Sequence, residues 1–123
     1  MKKDEVIDLA HNLNISSEDF VILSSSALVI RGILEQAGDL DIAVTKNGLE
    51  ELGKKYPLKQ KENGWFIVND KVECVLDDME GRKEKVEGIY LVDINDYLNY
   101  LESSSREKDK LRIPLVKEYI KNR

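Results

Sequence analysis

The sequence predicts a mixed α/β fold of the α+β type, and three observations support that prediction. The stretch Phe20–Thr45, FVILSSSALVIRGILEQAGDLDIAVT, has the pattern of a strand, a turn, a helix and a second strand. Two apolar runs flank Asn69-Asp70 and predict a β-hairpin. The N-terminal end of the chain carries apolar residues at helical spacing, as in an amphipathic helix. With 123 residues we expect one domain, residues 1–123, with its core in about 15–115.

The composition is typical of a globular cytoplasmic protein. Hydrophobic residues make up 41% of the chain and charged residues 35%. No apolar run approaches the roughly 20 residues that a membrane helix needs, and acids stand in MKKDEVIDLAHNL where a signal peptide has its apolar core. The single cysteine, Cys74, excludes an internal disulfide and a cysteine-cluster zinc site. The net charge of −5 disfavours wrapping of a long nucleic acid.

The first helix is predicted over Lys2–Leu13, where apolar residues form one stripe and charges occupy the other positions. Its His11 is interpreted as a surface or helix-end histidine, because no residue nearby has the spacing of a metal ligand or nucleophile. The alternative is a base or ligand. A turn over Asn14–Asp19 then leads into a strand over Phe20–Leu23.

Three serines, Ser24–Ser26, are predicted to form a turn before a helix over Ala27–Gln36. Small residues let a backbone approach a phosphate closely, and the following helix directs its amide dipole at the anion. The alternative is that Ser25 or Ser26 simply caps the helix, since serine is a favourable N-cap residue.

A second strand, Asp39–Val44, places two acids side by side. Because side chains alternate along a strand, Asp39 and Asp41 point to one face while Leu40 and Ile42 point to the other. Two neighbouring carboxylates repel, which raises the pKa of one of them unless a cation neutralises the pair. We therefore expect a divalent metal at this end of the sheet.

The middle of the chain contains a second unusual acid. One helix and three strands are predicted here: Gly48–Lys55 with Asn47 as its cap, Leu58–Lys61, Trp65–Val68 and Val72–Leu76. Glu73 lies among apolar residues of the last strand, which is unfavourable unless its face is polar or occupied by a metal. The alternative is that Glu73 is a solvent-facing strand residue. Asp77 is the reserve candidate for the third acid of the metal site.

The last third of the chain is predicted to be mainly helical. The expected elements are an exposed loop over Met79–Glu87, a strand over Ile89–Val92, a helix over Asp96–Glu102 opened by Asp93 or Asn95, and a helix over Glu107–Lys121. Pro114 should start, kink or shorten the last helix, because proline lacks the backbone N–H donor.

The strand, the small-residue turn followed by Ala-Leu, the helix and the Asp-hydrophobic-Asp strand resemble the signature of the nucleotidyltransferase superfamily related to DNA polymerase beta. The most similar members are the small bacterial MNT and AbiEii-type proteins of toxin–antitoxin and abortive-infection systems. The 13 residues between Ser25 and Asp39 match the spacing of the family. The resemblance implies a mixed β-sheet with helices packed mainly on one face.

The resemblance also implies roles for eight residues. The triphosphate would lie at Ser24, Ser25 and Ser26. Mg²⁺ or Mn²⁺ would bind the catalytic acids Asp39, Asp41 and Glu73. Arg106 and Lys108 belong to a run similar to Arg-x-Lys-Asp of AbiEii-type proteins and would lie near the nucleotide. For the two basic residues the alternative is a helix N-terminus with solvated charges. The sequence departs from the family at the turn, which is usually glycine-rich, and at Glu35 and Ala37, where members often have a basic residue and a threonine.

The resemblance predicts an enzyme that transfers a nucleoside monophosphate from a nucleotide triphosphate to a hydroxyl or phosphate. The acceptor would be a tRNA end, a cognate partner protein or a small molecule such as an aminoglycoside. The alternative is a catalytically weak or inactive module that binds or regulates a partner protein. A third interpretation is a plain α/β domain in which the acids are surface charge, and it is distinguished by whether the carboxylates of Asp39, Asp41 and Glu73 converge.

Overall fold

A computed structural model describes residues 1–78 and 80–123. Within those residues the chain forms five α-helices and a seven-stranded mixed sheet, so the predicted α+β class is confirmed. The elements in chain order are α1 Lys3–Asn12, β1 Phe20–Ile22, α2 Ser24–Ile30, β2 Leu40–Val44, α3 Lys46–Lys55, β3 Lys59–Gln60, β4 Phe66–Ile67, β5 Val72–Leu76, β6 Lys83–Val86, β7 Ile89–Val92, α4 Ile94–Ser103 and α5 Glu107–Lys121.

The sheet has the strand order β3-β4-β5-β2-β1-β7-β6. At its centre β2 is antiparallel to β1 and parallel to β5, while β1 is parallel to β7. The hairpin predicted around Asn69-Asp70 is confirmed, because β4 pairs antiparallel with β5. The two short strands β3 and β6 form the edges.

One face of the sheet carries the main core. Leu40, Ile42 and Val44 of β2 are fully buried there, in one cluster with side chains from α1, α2 and α3. Burial of this kind stabilises by roughly 25 cal/mol per Å² of apolar surface, so it dominates the energetics of this face. A second cluster joins α2 to α4 and α5 through Leu28, Tyr97, Leu101 and related residues.

The helix after the serines differs from its prediction at both ends. It begins at Ser24 instead of following a serine turn, and it ends at Ile30 instead of Gln36. Gly32 ends it: with φ +81° its N–H donates to Val29 O, and the Ile33 N–H donates to Leu28 O. This is the Schellman arrangement, for which glycine is the favoured residue.

Two further predictions are corrected. Thr45, not Asn47, caps α3, because its Oγ1 accepts from the Gly48 N–H at 3.0 Å. Part of the predicted loop Met79–Glu87 is strand β6, while Met79 itself lies outside the described residues. The helix predicted over Glu107–Lys121 is confirmed as α5, with Pro114 in its interior. The predicted opening of α4 is confirmed, since Asp93 Oδ2 accepts from two backbone N–H groups of its first turn.

Two features of the surface match their predictions. His11 is exposed in the last turn of α1. None of the helices in the described residues has the length and apolar character needed to cross a bilayer.

Candidate functional site

The sheet places two of the predicted acids next to each other. In the parallel pair β2 and β5, Asp41 and Glu73 are direct register partners. The alternation of strand side chains turns both away from the face that Leu40 and Ile42 occupy. Asp39 precedes β2 on the same side as Asp41.

The electrostatics of Asp41 show that the three acids influence one another. The pKa of Asp41 is raised, first by partial burial of its carboxyl group and then by the negative charges of Asp39 and Glu73. Lys108 and Lys61 act in the opposite direction and lower it. The ionised form of Asp41 is therefore disfavoured, and a cation bound beside it would relieve that penalty.

Asp39 and Asp41 line a cavity of about 140 Å³, here named the acid cavity. Its other lining residues come from the start of α2, the loop before β2, α4, and the N-cap and first turns of α5: Ser24, Ser25, Gly38, Tyr100, Arg106, Lys108, Asp109 and Arg112. The carboxylates and the basic side chains thus line the same space. That combination suits a ligand with anionic groups that also share a cation.

Glu73 is not among the residues that line this cavity, and its carboxylate is paired with a lysine. Lys61 Nζ lies 3.0 Å from Glu73 Oε1, and both side chains are more than one-third exposed. Exposed pairs of this kind contribute only about 0–1 kcal/mol, so the bond is easily exchanged for another partner. Across the described part of the chain, no three His, Cys, Asp or Glu side chains are arranged to hold a metal ion.

The three serines have different environments. Ser26 is fully buried, and its Oγ donates to the Asp39 backbone oxygen at 2.5 Å, which ties α2 to the start of β2. Ser24 and Ser25 line the acid cavity. The predicted serine cap is wrong, because the cap position of α2 is Leu23 and no side chain bonds there.

Ser24 adopts φ +54°, a conformation that favours glycine. For a residue with a Cβ atom the left-handed region costs about 1–2 kcal/mol. The nucleotidyltransferases that the sequence resembles usually have glycine at this position, and Ser24 lines the acid cavity. Strained backbone is often found at functional sites, where the surrounding structure maintains it.

Sequence reasoning assigned no role to three residues of the cavity, Tyr100, Asp109 and Arg112. Asp109 is 2% exposed, and its Oδ2 accepts from Ser104 Oγ at 2.7 Å. Arg112 Nη1 donates to the Tyr97 hydroxyl at 3.2 Å. A signal existed for Asp109, since it ends the Arg106–Asp109 run, but its burial depends on how α5 packs.

Comparison of the chain with models of known protein families, with curated proteins and with solved structures found no match. The resemblance to nucleotidyltransferases therefore stays a prediction.

The donor set fits a hard divalent cation. Carboxylate oxygens are the ligands that Mg²⁺ and Mn²⁺ prefer, and Mg²⁺ is commonly held by one or two carboxylates together with water and substrate phosphates. Asp39 and Asp41 supply two such groups in one cavity. Because Arg106 and Lys108 line the same cavity, an anionic ligand would find positive charge there as well.

Proposed function

We propose that the protein is a metal-dependent nucleotidyltransferase, which transfers a nucleoside monophosphate from a nucleotide triphosphate to a hydroxyl or phosphate acceptor. The observation that carries this proposal is the acid cavity, where Asp39 and Asp41 lie with Arg106, Lys108 and Arg112. A partly buried carboxyl group in a cavity, with its pKa raised by burial and by neighbouring acids, is a candidate functional residue.

In this proposal each side chain has a limited task. Asp39 and Asp41 hold Mg²⁺ or Mn²⁺, which when bound supplies stabilisation of charge on the entering and leaving oxygens. Arg106 and Lys108 bind phosphate oxygens of the triphosphate. Glu73, released from Lys61, takes the proton of the attacking hydroxyl. The acceptor oxygen bonds to the α-phosphorus, the bond to the bridging oxygen breaks, and pyrophosphate leaves with that electron pair.

The first test is binding. Calorimetric titration of ATP, CTP, GTP and UTP in the presence of Mg²⁺ or Mn²⁺ should show saturation by at least one nucleotide. Chelation of the metal should weaken that binding, because the acids then repel the phosphates. Failure of all four nucleotides to bind at millimolar concentration would remove the support for an enzyme.

The second test is transfer of label from the nucleotide. Asp41→Asn should lower the rate by about 10³-fold, the magnitude typical for loss of a group that stabilises transition-state charge. The matched control is Asp8→Asn, which changes an exposed acid on α1, an element of the opposite face. Equal rates for Asp41→Asn and Asp8→Asn would exclude Asp41 from the chemistry.

A second candidate function is a non-catalytic module that binds or regulates a partner protein. Two observations favour it: the Lys61 bond that occupies Glu73, and the presence of Glu35 and Ala37 where members of the family often have a basic residue and a threonine. This function predicts that Asp41→Asn leaves the biological activity unchanged, whereas the enzyme requires its loss.

The resemblance also suggests a setting for the reaction, in the cytoplasm and within a toxin–antitoxin or phage-defence system. The acceptor would be a tRNA end, a cognate partner protein or a small molecule such as an aminoglycoside. Incubation of the protein and labelled nucleotide with total tRNA, with co-purifying protein and with an aminoglycoside panel separates the three classes. Label should appear in one class and be absent with Asp41→Asn.

A further inference from the structure

A second cavity adjoins the acid cavity and is lined mostly by aromatic and apolar side chains. This aromatic cleft has a volume of about 260 Å³ and is lined by Leu23, Ser24, Trp65, Val92, Asp96, Tyr97 and Tyr100. Tyr97 and Tyr100 are stacked, with ring centroids 5.9 Å apart and an interplanar angle of 13°. Tyr97 is almost completely buried, whereas Tyr100 is 48% exposed. The cleft therefore offers an ordered aromatic surface to a ligand.

The aromatic cleft and the acid cavity lie next to each other. Ser24 and Tyr100 line both of them. The hydrogen bond from Arg112 to the Tyr97 hydroxyl joins a residue of the acid cavity to a residue of the cleft. One ligand can therefore present anionic groups to the first space and a planar group to the second.

The shape and lining of the cleft suit a single heterocyclic base. Its volume is slightly below the roughly 300–1,000 Å³ of sites for drug-sized ligands, so it fits a fragment of such a ligand. Aromatic side chains stack on bases of any sequence, because every base has a π-face. Trp65 and Tyr100 are thus suitable stacking partners.

Asp96 adds a preference among the bases. It is the one charged residue among the described lining residues of the cleft, and its Oδ1 accepts from Arg82 Nη2 at 2.5 Å. An ionised carboxylate accepts hydrogen bonds and has about four acceptor positions, so capacity for further donors remains. Guanine presents two neighbouring N–H donors on its pairing edge, whereas adenine and cytosine present one amino group there and uracil one ring N–H.

We infer that the aromatic cleft binds the base of the nucleotide and prefers guanine through Asp96. This inference rests on the proposed function, because it assigns the phosphates of the same nucleotide to the acid cavity. Trp65 and Tyr100 supply stacking, and the Asp96 carboxylate accepts from the N1–H and the amino group of guanine.

The test uses the fluorescence of Trp65, the one tryptophan of the chain. GMP, AMP, CMP and UMP are titrated without divalent metal, with excitation at the red edge of tryptophan absorption, and calorimetry gives a second readout. GMP should bind about tenfold more tightly than the other three. Ribose 5-phosphate, which lacks a base, should leave the fluorescence unchanged.

Two variants and one control locate the binding. Tyr100→Ala should weaken all four nucleotides about tenfold, since stacking does not depend on the base. Asp96→Asn should remove the preference for GMP and leave the other affinities nearly unchanged. The control Tyr90→Ala changes a tyrosine of β7 outside the lining of the cleft and should bind GMP like the unaltered protein.

Absence of saturable binding by both readouts would overturn the inference, as would equal affinity for the four bases or wild-type affinity of Tyr100→Ala. Comparison of nucleotide binding with transfer activity, in the unaltered protein and in Asp41→Asn, separates this inference from the proposed function. GMP binding without any transfer activity retains the cleft and removes the enzyme. Transfer activity without a base preference or an effect of Tyr100→Ala retains the enzyme and removes the cleft.

Discussion

The two faces of strand β2 follow different physical rules. On one face Leu40, Ile42 and Val44 are fully buried against three helices, and apolar burial decides their energy. On the other face Asp41 is partly buried beside like charges and is destabilised in its ionised form. A single strand of five residues thus stabilises the fold through its apolar face, while the ionised carboxylate of Asp41 on its other face is unfavourable. Substitutions of neighbouring residues should therefore have opposite consequences.

The largest effect on stability is expected at the core face. Ile42→Ala should lower the free energy of unfolding by about 3 kcal/mol, because it removes buried methyl groups and leaves a cavity. Val75→Ala is a smaller deletion on the opposite face, where Val75 is half-buried on the neighbouring strand, and should cost about 1 kcal/mol. Chemical denaturation of both variants measures the difference. Equal losses would show that the two faces are packed alike.

The core face could be predicted from the sequence because strand alternation is a local property. Asp39–Val44 differs from the observed strand by one residue, and the apolar set was assigned to the correct face. Gly32 is a standard helix-stop signal and predicts the observed end of α2. The longer helix was predicted because apolar residues continue beyond Gly32 to Leu34. Strand β6 was missed because Lys83 and Lys85 are atypical of a core strand. Lysines are common on an edge strand, which β6 is.

The residue pattern alone predicts the acidic half of the site, and the resemblance adds Ser24, Ser25, Arg106 and Lys108, which also line the acid cavity. Asp39 and Asp41 follow from one strand, and Glu73 follows from the hairpin, but the Asp41–Glu73 register required the parallel pairing of β2 with β5. Arg112 and Tyr100 enter the acid cavity through the packing of α4 and α5, which is a long-range feature without a local sequence signal. Lys61 likewise reaches Glu73 across the sheet.

The next effect concerns the charged face alone. Lys61→Met should increase the affinity for Mn²⁺ about tenfold. The substitution removes a positive charge that pairs with Glu73 and competes with a metal ion for Glu73 and Asp41; in the unaltered protein that same charge lowers the pKa of Asp41. Stability should change by less than about 1 kcal/mol, since the pair is partly exposed. Lys59→Met on β3 is the control for loss of one positive charge. Paramagnetic relaxation of water by bound Mn²⁺ measures the affinity. A weaker or unchanged affinity would show that Glu73 and Asp41 do not share a cation.

A smaller effect is expected where the charged face meets α2. Ser24→Gly should stabilise the fold by about 0.5 kcal/mol, because relief of the left-handed strain slightly exceeds the added entropy of the unfolded chain. Ser25→Gly should instead destabilise by about 0.5–1 kcal/mol, as glycine does in a helix. The opposite signs make the pair informative. Destabilisation by both substitutions would show that the conformation of Ser24 carries no strain.

The smallest effect is the dependence of stability on pH at Asp41. A carboxyl group whose folded pKa is raised binds its proton more tightly in the native state, so stability falls as pH rises from the ordinary Asp value of 3.8 through the raised pKa. Asp41→Asn removes this loss. We expect its Tm to exceed that of the unaltered protein at neutral pH, and the difference to vanish below pH 3.8.

Saturating Mn²⁺ should reverse this order at neutral pH, because a bound cation stabilises the ionised form in the unaltered protein and finds fewer carboxylates in the variant. Asp8→Asn serves as the control for loss of one negative charge. Thermal unfolding at a series of pH values, with and without Mn²⁺, measures all of these differences. If Asp41→Asn lowered the Tm at neutral pH without metal, the Asp41 carboxylate would be a stabilising group, and the contrast between the two faces of β2 would no longer hold.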